Sequence, residues 1–436
     1  MNLVRLNNRV KSWINHLYGK GFAYWITVLF LIPIGMLIGD LLGEERVWVN
    51  ARYYLYNSLQ SASAHSLTYS TRTTVVLIGD DEFWKGDLAR RTPLKKTYLA
   101  RILRKLDMAN PAVIGFDIDL RSQTPDKSFV EHPDYQAETA ELLDAINSVS
   151  RTRPVVLART LISEPGPGET GLSSADSDLA YEAEPSVFDD YKFESSNVFE
   201  GYVSLPYDIR QVPLTLKTKD GSEIDSFSAA IVRALDPKAI LEAQGQDRDA
   251  LPYGTFISPQ SFEPLSAQYL LDTPPEILKS KLAANVVLVG GAWHQYAYGH
   301  GKQVDMHLTP VGEIGGVFVH GNYVEALLTH RTSKPFGKGA SVTTEVLLSI
   351  FIALVFASNI RSWKKLALAA GLSLALILIT YVSWQNLGLF FDFFIPLILL
   401  SGHVVTERVL EWRTEAIQHA NQPAKKEVEE CASCEL

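Results

Sequence analysis

Four apolar runs bracket this chain: FAYWITVLFLIPIGMLIG at residues 22–39, EVLLSIFIALVFASNI at 345–360, LALAAGLSLALILITYVSW at 366–384 and LGLFFDFFIPLILLSGHVV at 387–405. A helix needs ~20 mostly apolar residues to cross about 30 Å of hydrocarbon, and each run reaches or approaches that length. The second is the shortest, and Glu345 at its start fits the interface better than the interior. The long interior between the first two runs holds no comparable stretch. The pattern therefore predicts one large domain displayed between a leading anchor and three trailing spans.

Lys and Arg in short loops stay on the cytoplasmic side. Arg5, Arg9, Lys11 and Lys20 precede the first run, Arg361, Lys364 and Lys365 lie between the second and third, and Arg408 and Arg413 follow the fourth. Alternating spans put all three segments inside, which places the interior domain outside. A cleaved signal peptide is the rival reading of the first run. The leader is long, however, and GEERVWVN after the run offers no small-x-small cleavage site, so the run is read as an anchor. The expected layout is a cytoplasmic leader (1–20), spans at 21–42, 341–360, 365–384 and 387–405, a periplasmic domain (43–340) and a short cytoplasmic tail (406–436), all in a bacterial inner membrane.

The net charge of −9 excludes a basic nucleic-acid surface, and the two Cys, Cys431 and Cys434, both lie at the C-terminal end. The interior domain therefore folds without a disulfide, which its size permits. Residues 48–67 read as a helix continuing from the first span. TTVVLIGDD at 73–81 is a β-branched apolar run closed by two aspartates, the signature of a buried strand with an acidic carboxyl end. Leu99, Ile102, Leu103 and Leu106 then share one helical face, and PAVIGFDIDL at 111–120 is a second strand ending in Asp117 and Asp119. Strand, helix and strand make a βαβ unit, so an α/β fold with a mostly parallel sheet is expected.

Further along, residues 142–149 continue as helix, PVVLARTL at 154–161 as strand, and 164–197 as a Gly-, Pro-, Ser- and acid-rich loop. Residues 201–218 suggest a hairpin and 227–235 a helix. Val286 to Gly291, within NVVLVGG, reads as a last buried strand, opening into a His-rich loop at 293–308 and a helix within GGVFVHGNYVEALLTHR. No internal repeat is visible.

In that order, VVLIGDD, VIGFDIDL and VVLVGGAWHQYAYGHGKQVDMHLTPVGEIGGVFVHGNYVEALL resemble the second type of CHASE sensor domain, the extracytoplasmic sensory domain found with bacterial cyclases and histidine kinases. Gly290, Asp305, His307, Thr309-Pro310, Gly316, His320 and Asn322 carry most of the likeness, which runs over residues 47–331. The flanking layout of one span before and about three after also matches. Two turns depart from the family pattern. Phe83-Trp84-Lys85-Gly86 is followed by Arg90-Arg91-Thr92-Pro93 in place of a Trp-Pro-rich turn, and Tyr207-Asp208-Ile209-Arg210 lacks the Gly that usually precedes the Arg. The resemblance implies a sensor; no cofactor is expected, and no catalytic motif gives reason to expect an enzyme. It also implies an output domain that the sequence after the last run leaves no room for, so output is expected in trans from a separate effector, with the receptor a homodimer in the membrane.

The candidate ligand-binding residues are Asp80, Asp81, Asp117, Asp119, Arg210, His294, Asp305 and His307. The four strand-end aspartates are expected on neighbouring strands, where parallel α/β sheets place ligand sites and where carboxylates suit Mg²⁺ or Ca²⁺. Asp also closes strands and caps turns for purely local reasons. His294, His300, Asp305 and His307 could hold zinc or iron or simply tie a loop together. No G-x-S-x-G, no HExxH and no glycine-rich phosphate loop opening a helix is present. Past the last run, Val405, Val409, Trp412 and Ala416 fall near one helical face. Trp412, Cys431 and Cys434 are thus candidates for docking a partner, the thiols supplying at most half of a closed zinc site. An assembly subunit that senses nothing and a metal-dependent periplasmic hydrolase are the alternative functions.

Overall fold

The computed structural model describes residues 70–120, 134–163, 181–186, 189, 191–206, 209–219, 221–244, 250–253, 256–296, 299–309, 311–332, 334–335, 343, 362–387, 389–390 and 416. The chain divides into two units, residues 51–334 and residues 1–50 with 335–436.

The first unit is built on a six-stranded sheet of β1 (Thr73–Ile78), β2 (Val113–Asp117), β3 (Val155–Arg159), β4 (Val198–Tyr202), β5 (Leu265–Ser266) and β6 (Val286–Gly291), in the spatial order β5-β1-β6-β2-β3-β4. Every pairing is parallel. Parallel strands are covered on both faces, which is why these segments are apolar almost throughout rather than at alternate positions. Val76, Ile78, Ile114, Phe116, Val155, Leu157, Val287 and Val289 pack on one face. Val75, Val113, Val156, Val286 and Leu288 pack on the other.

Helices α1 (Lys96–Ala109), α2 (Tyr135–Ser150), α5 (Ala267–Asp272) and α6 (Pro275–Leu282) cover the first face. Helices α3 (Phe227–Leu235), α4 (Pro237–Gln244) and α7 (Gly316–Leu328) contribute to the second core. The start of α3 is capped by Ser226, whose Oγ accepts the Ala229 N–H at 3.1 Å, and α1 ends where Asn110 turns left-handed at φ 58°. Between α1 and α2 lies a buried polar knot. Glu138 accepts from Arg91 and from the Lys96 backbone N–H (3.1 Å), while Lys96 Nζ reaches Thr139 Oγ1 at 2.9 Å above the Tyr135 ring.

Two expectations are corrected. β1 and β2 are not neighbours, because β6 inserts between them and bonds to both. The last strand in sequence takes the centre because its apolar residues face both cores, while the short β5 occupies the edge. The described residues of 201–218 do not pair with one another as a hairpin. β4 joins the main sheet instead, Gln211–Pro213 pairs with Ala250–Pro252, and Thr215–Lys217 pairs with Glu223–Asp225. The expected His-rich loop consists of two hairpins, β7 (His294–Tyr296) with β8 (His300–Gln303) and β9 (Met306–Thr309) with β10 (Gly312–Gly315).

In the second unit the third apolar run lies within one helix, α8, Ser362–Leu387. Its described side chains fall between Lys364 and Val382 with gaps, and among the described residues no helix is long and apolar enough to cross a membrane. The first two apolar runs, all of the fourth but residues 387 and 389–390, the helix expected at 48–67, Trp412, Cys431 and Cys434 lie outside the described residues.

Candidate functional site

The carboxyl ends of the central strands open into a cavity of about 990 Å³, at the upper end of the size usual for small-molecule sites. Asp117 at the end of β2, Ala158 near the end of β3, Gly291 at the end of β6 and Val203 just past β4 all line it. Thr92, Pro93 and Leu94 approach from the segment before α1. Asp305 and His307 come from the β9 hairpin, and His320 from α7.

Two glycines bring those last residues in. A Cβ on Gly290 would stand 2.6 Å from Val317 Cβ, so its absence lets α7 lie directly on β6. A Cβ on Gly316 would stand 2.0 Å from Asp305 Oδ2, so the first residue of α7 must be bare for the hairpin to close over it. The Gly316 N–H donates to the Asp305 carbonyl at 2.8 Å, and Asp305 takes a left-handed φ of 53°, which Asp tolerates better than most residues.

Within the cavity, Asp305 Oδ1 meets His307 Nε2 at 2.8 Å. The Asp117 carboxyl has no hydrogen bond or ion pair among the described residues. Burial, reinforced by the charge of Asp305, pushes its carboxyl up to about 8, so at neutral pH it is a carboxylic acid able to donate. His320 is 3 % exposed. Burial lowers it to about 4 despite the opposing pull of Asp305 and a contact with the Val203 backbone, and His307 adds to the lowering. It is therefore a neutral imidazole.

Ser228 Oγ lies 3.4 Å from His320 Nδ1 but is fully buried and donates to the His320 carbonyl at 3.2 Å. It does not line the cavity. Perturbed titrating groups converging on a pocket mark a functional site, and this set suits binding better than nucleophilic attack.

Of the residues singled out from the sequence, Asp117, Asp119, Asp305 and His307 meet in the cavity. Asp80 does not line it. Its Oδ1 accepts the His294 N–H and its Oδ2 meets His294 Nδ1, both at 2.8 Å. Asp81 is exposed beside Lys85, and His300 is exposed on β8. Arg210 is buried away from the cavity, with its carbonyl accepting the Tyr253 N–H at 2.6 Å. Among the described residues no three His, Cys, Asp or Glu side chains gather closely enough to hold a metal ion.

Sequence reasoning left His320, Trp293 and Glu184 off the site. The available signal was a histidine inside a helix apolar on every side, since α7 buries nearly all its residues. Asn322, which shares that helix, is structural. Its Oδ1 accepts from Ile257 N (2.6 Å) and Tyr253 OH (3.1 Å), and its Nδ2 donates to the carbonyls of Phe318 (2.9 Å) and Ile257 (3.2 Å).

No curated protein and no solved structure matches the chain. A family model described as the CHASE2 domain matches residues 27–358, further at both ends than the motifs at 47–331 reach and into the first two apolar runs. Because the match spans most of the 436 residues, the chain belongs to the CHASE2 domain family of extracytoplasmic sensor domains.

Proposed function

We propose that this protein is an inner-membrane receptor that binds a small molecule in the cavity at the carboxyl edge of its sheet and relays occupancy through α7 to the apolar segments that follow. One observation carries the reading. The cavity of about 990 Å³ is lined by strand ends, by an acid whose carboxyl has no partner among the described residues, and by His320 on α7. A ligand bridging β2 and α7 would bias the position of that helix, and bias between two arrangements is all a signal requires.

In this reading the domain faces the periplasm, the four apolar runs are spans, and a separate effector reads their rearrangement in a homodimer. The distribution of Lys and Arg supports that orientation. Leu368, Leu374, Leu378, Ile379 and Val382, large apolar side chains left exposed along α8, support the separate reading of that helix as lipid-facing.

The test is a thermal-stability screen of the full chain in detergent against a library of small metabolites, run beside Ala158→Trp, which fills the cavity from β3. At least one compound is expected to raise the melting temperature of the native protein and to leave the variant unmoved. If every stabilising compound acts equally on both, the cavity is not the sensing site.

A further inference from the structure

We propose that the ligand of this cavity is a small organic cation, an amine or guanidine compound carrying an apolar body. This rests on the reading of the cavity as the sensing site and names its ligand class.

The wall is the first argument. Asp117, Asp119, Glu184 and Asp305 line it, and among the described lining residues there is no Lys or Arg. Asp119 and Glu184 engage other groups as well, so the weight falls on Asp117 and Asp305. A concave site lined by carboxylates focuses its field on entering ions, and an anion would meet those carboxylates with no Lys or Arg among the described lining residues, the His307 ring being already engaged by Asp305.

Size and texture narrow the class further. The volume of about 990 Å³ is far too large for a bare metal ion, and no three metal-ligating side chains converge among the described residues. Leu94, Ile118, Ala158, Val203 and Leu205 supply apolar surface, and Trp293 supplies an aromatic wall against which a desolvated ammonium gains cation–π attraction. A molecule with a charged end and an apolar body satisfies both halves of the wall.

Asp117 makes the inference testable. Its carboxyl is protonated at neutral pH for want of a positive neighbour, with burial as the main cause and Asp305 adding to it. A cation seated beside it favours the ionised form, so binding releases one proton from Asp117 to solvent as the ion pair forms. A neutral ligand has no such effect.

The full chain in detergent should be titrated with cadaverine, agmatine and phenethylamine, with 1,5-pentanediol and glutarate as neutral and anionic controls. At least one amine is expected to bind with affinity that rises about tenfold per pH unit between roughly pH 6 and 8, the linkage of a single released proton. Asp117→Asn should weaken that amine at least tenfold and flatten its pH dependence. If that variant does not fold, Glu184→Gln is expected to weaken it severalfold while leaving the pH slope intact. Pentanediol binding as tightly as cadaverine, no amine binding at all, or stabilisation by Ca²⁺ or Mg²⁺ that EDTA reverses would each overturn the inference. If pentanediol or glutarate binds and Ala158→Trp abolishes it, the cavity remains the sensing site and only the ligand class is wrong.

Discussion

Asp80 grips His294 with both carboxylate oxygens, Oδ1 on the backbone N–H and Oδ2 on ring Nδ1, each at 2.8 Å. The pair joins the end of β1 to the start of the β7 hairpin across 214 residues of sequence. Trp84 Nε1 donates to the His294 carbonyl at 3.1 Å, and Trp293 stacks on Phe83 at 4.6 Å. The aspartate that looked like a ligand therefore fastens one wall of the cavity from outside it.

Removing that clasp should loosen the hairpin. Asp80→Ala is expected to lower stability by ~1–3 kcal/mol, with Asp80→Asn intermediate, read from urea unfolding of the full chain followed by tryptophan fluorescence. Burial raises the Asp80 carboxyl, but the His294 N–H, the His294 ring and Lys85 outweigh it, so the net position lies below the usual 3.8. The stabilisation is present above 3.8 and lost as pH falls through the lower folded value. An unchanged unfolding midpoint in Asp80→Ala at pH 7 would show that the clasp carries nothing.

Asp117 has the opposite sign. Its folded carboxyl titrates near 8 against 3.8 in the open chain, so between those values the unfolded state gives up a proton that the folded state keeps. Its contribution therefore declines as pH rises from about 4 to about 8. Asp117→Asn is expected to be well folded and to lose this decline, so that it gains on the native protein as pH rises. Parallel stability curves for the two proteins from pH 5 to pH 8 would contradict the burial argument.

His320 governs the acid side. It titrates near 4 in the fold against 6.5 in the open chain, so the unfolded state takes up a proton first and stability falls as pH drops from 6.5 toward 4. His320→Gln removes that component, and its unfolding midpoint should change less than the native midpoint between pH 7 and pH 4.5. Equal losses in both would place the acid sensitivity elsewhere.

Gly290 is a packing requirement. Gly290→Ala puts a methyl 2.6 Å from Val317 Cβ and should cost ~1–3 kcal/mol by overpacking. Adding Val317→Ala should recover part of that loss, so the double-mutant cycle is non-additive. Additive losses would mean that α7 does not rest on β6 at this point.

Glu138 balances Arg91 and Lys96 inside the first unit, where Lys96 is 2 % exposed and is lowered to about 8 by burial. Glu138→Ala leaves those cations buried without their counter-charge, a class of change that costs ~3–5 kcal/mol. Glu138→Gln should lose less because it keeps the hydrogen bond to the Lys96 N–H. The two variants compared in urea settle the order.

Most strands and helices of the sheet unit were legible because each writes a local pattern, whereas the pairing of 201–218 was not. Helix 227–235 and strand 286–291 emerge at their observed limits, and the parallel sheet follows from apolar runs too continuous to have a wet face. The motif that points to the sensor family is legible for the same reason, its glycines and Asn322 each answering a packing need.

Order in space was not legible. Nothing local to 286–291 says that the sheet's last strand slips between β1 and β2, and that insertion separates the two aspartate pairs, leaving Asp80 as a clasp and Asp117 in the cavity lining. By itself the sequence determined the α/β class, the apolar runs and which residues bear charge, since these depend on neighbours along the chain. Only the tertiary structure decided which charges share a cavity and which of them lose water, because burial and proximity are set by the contacts that folding makes between distant segments.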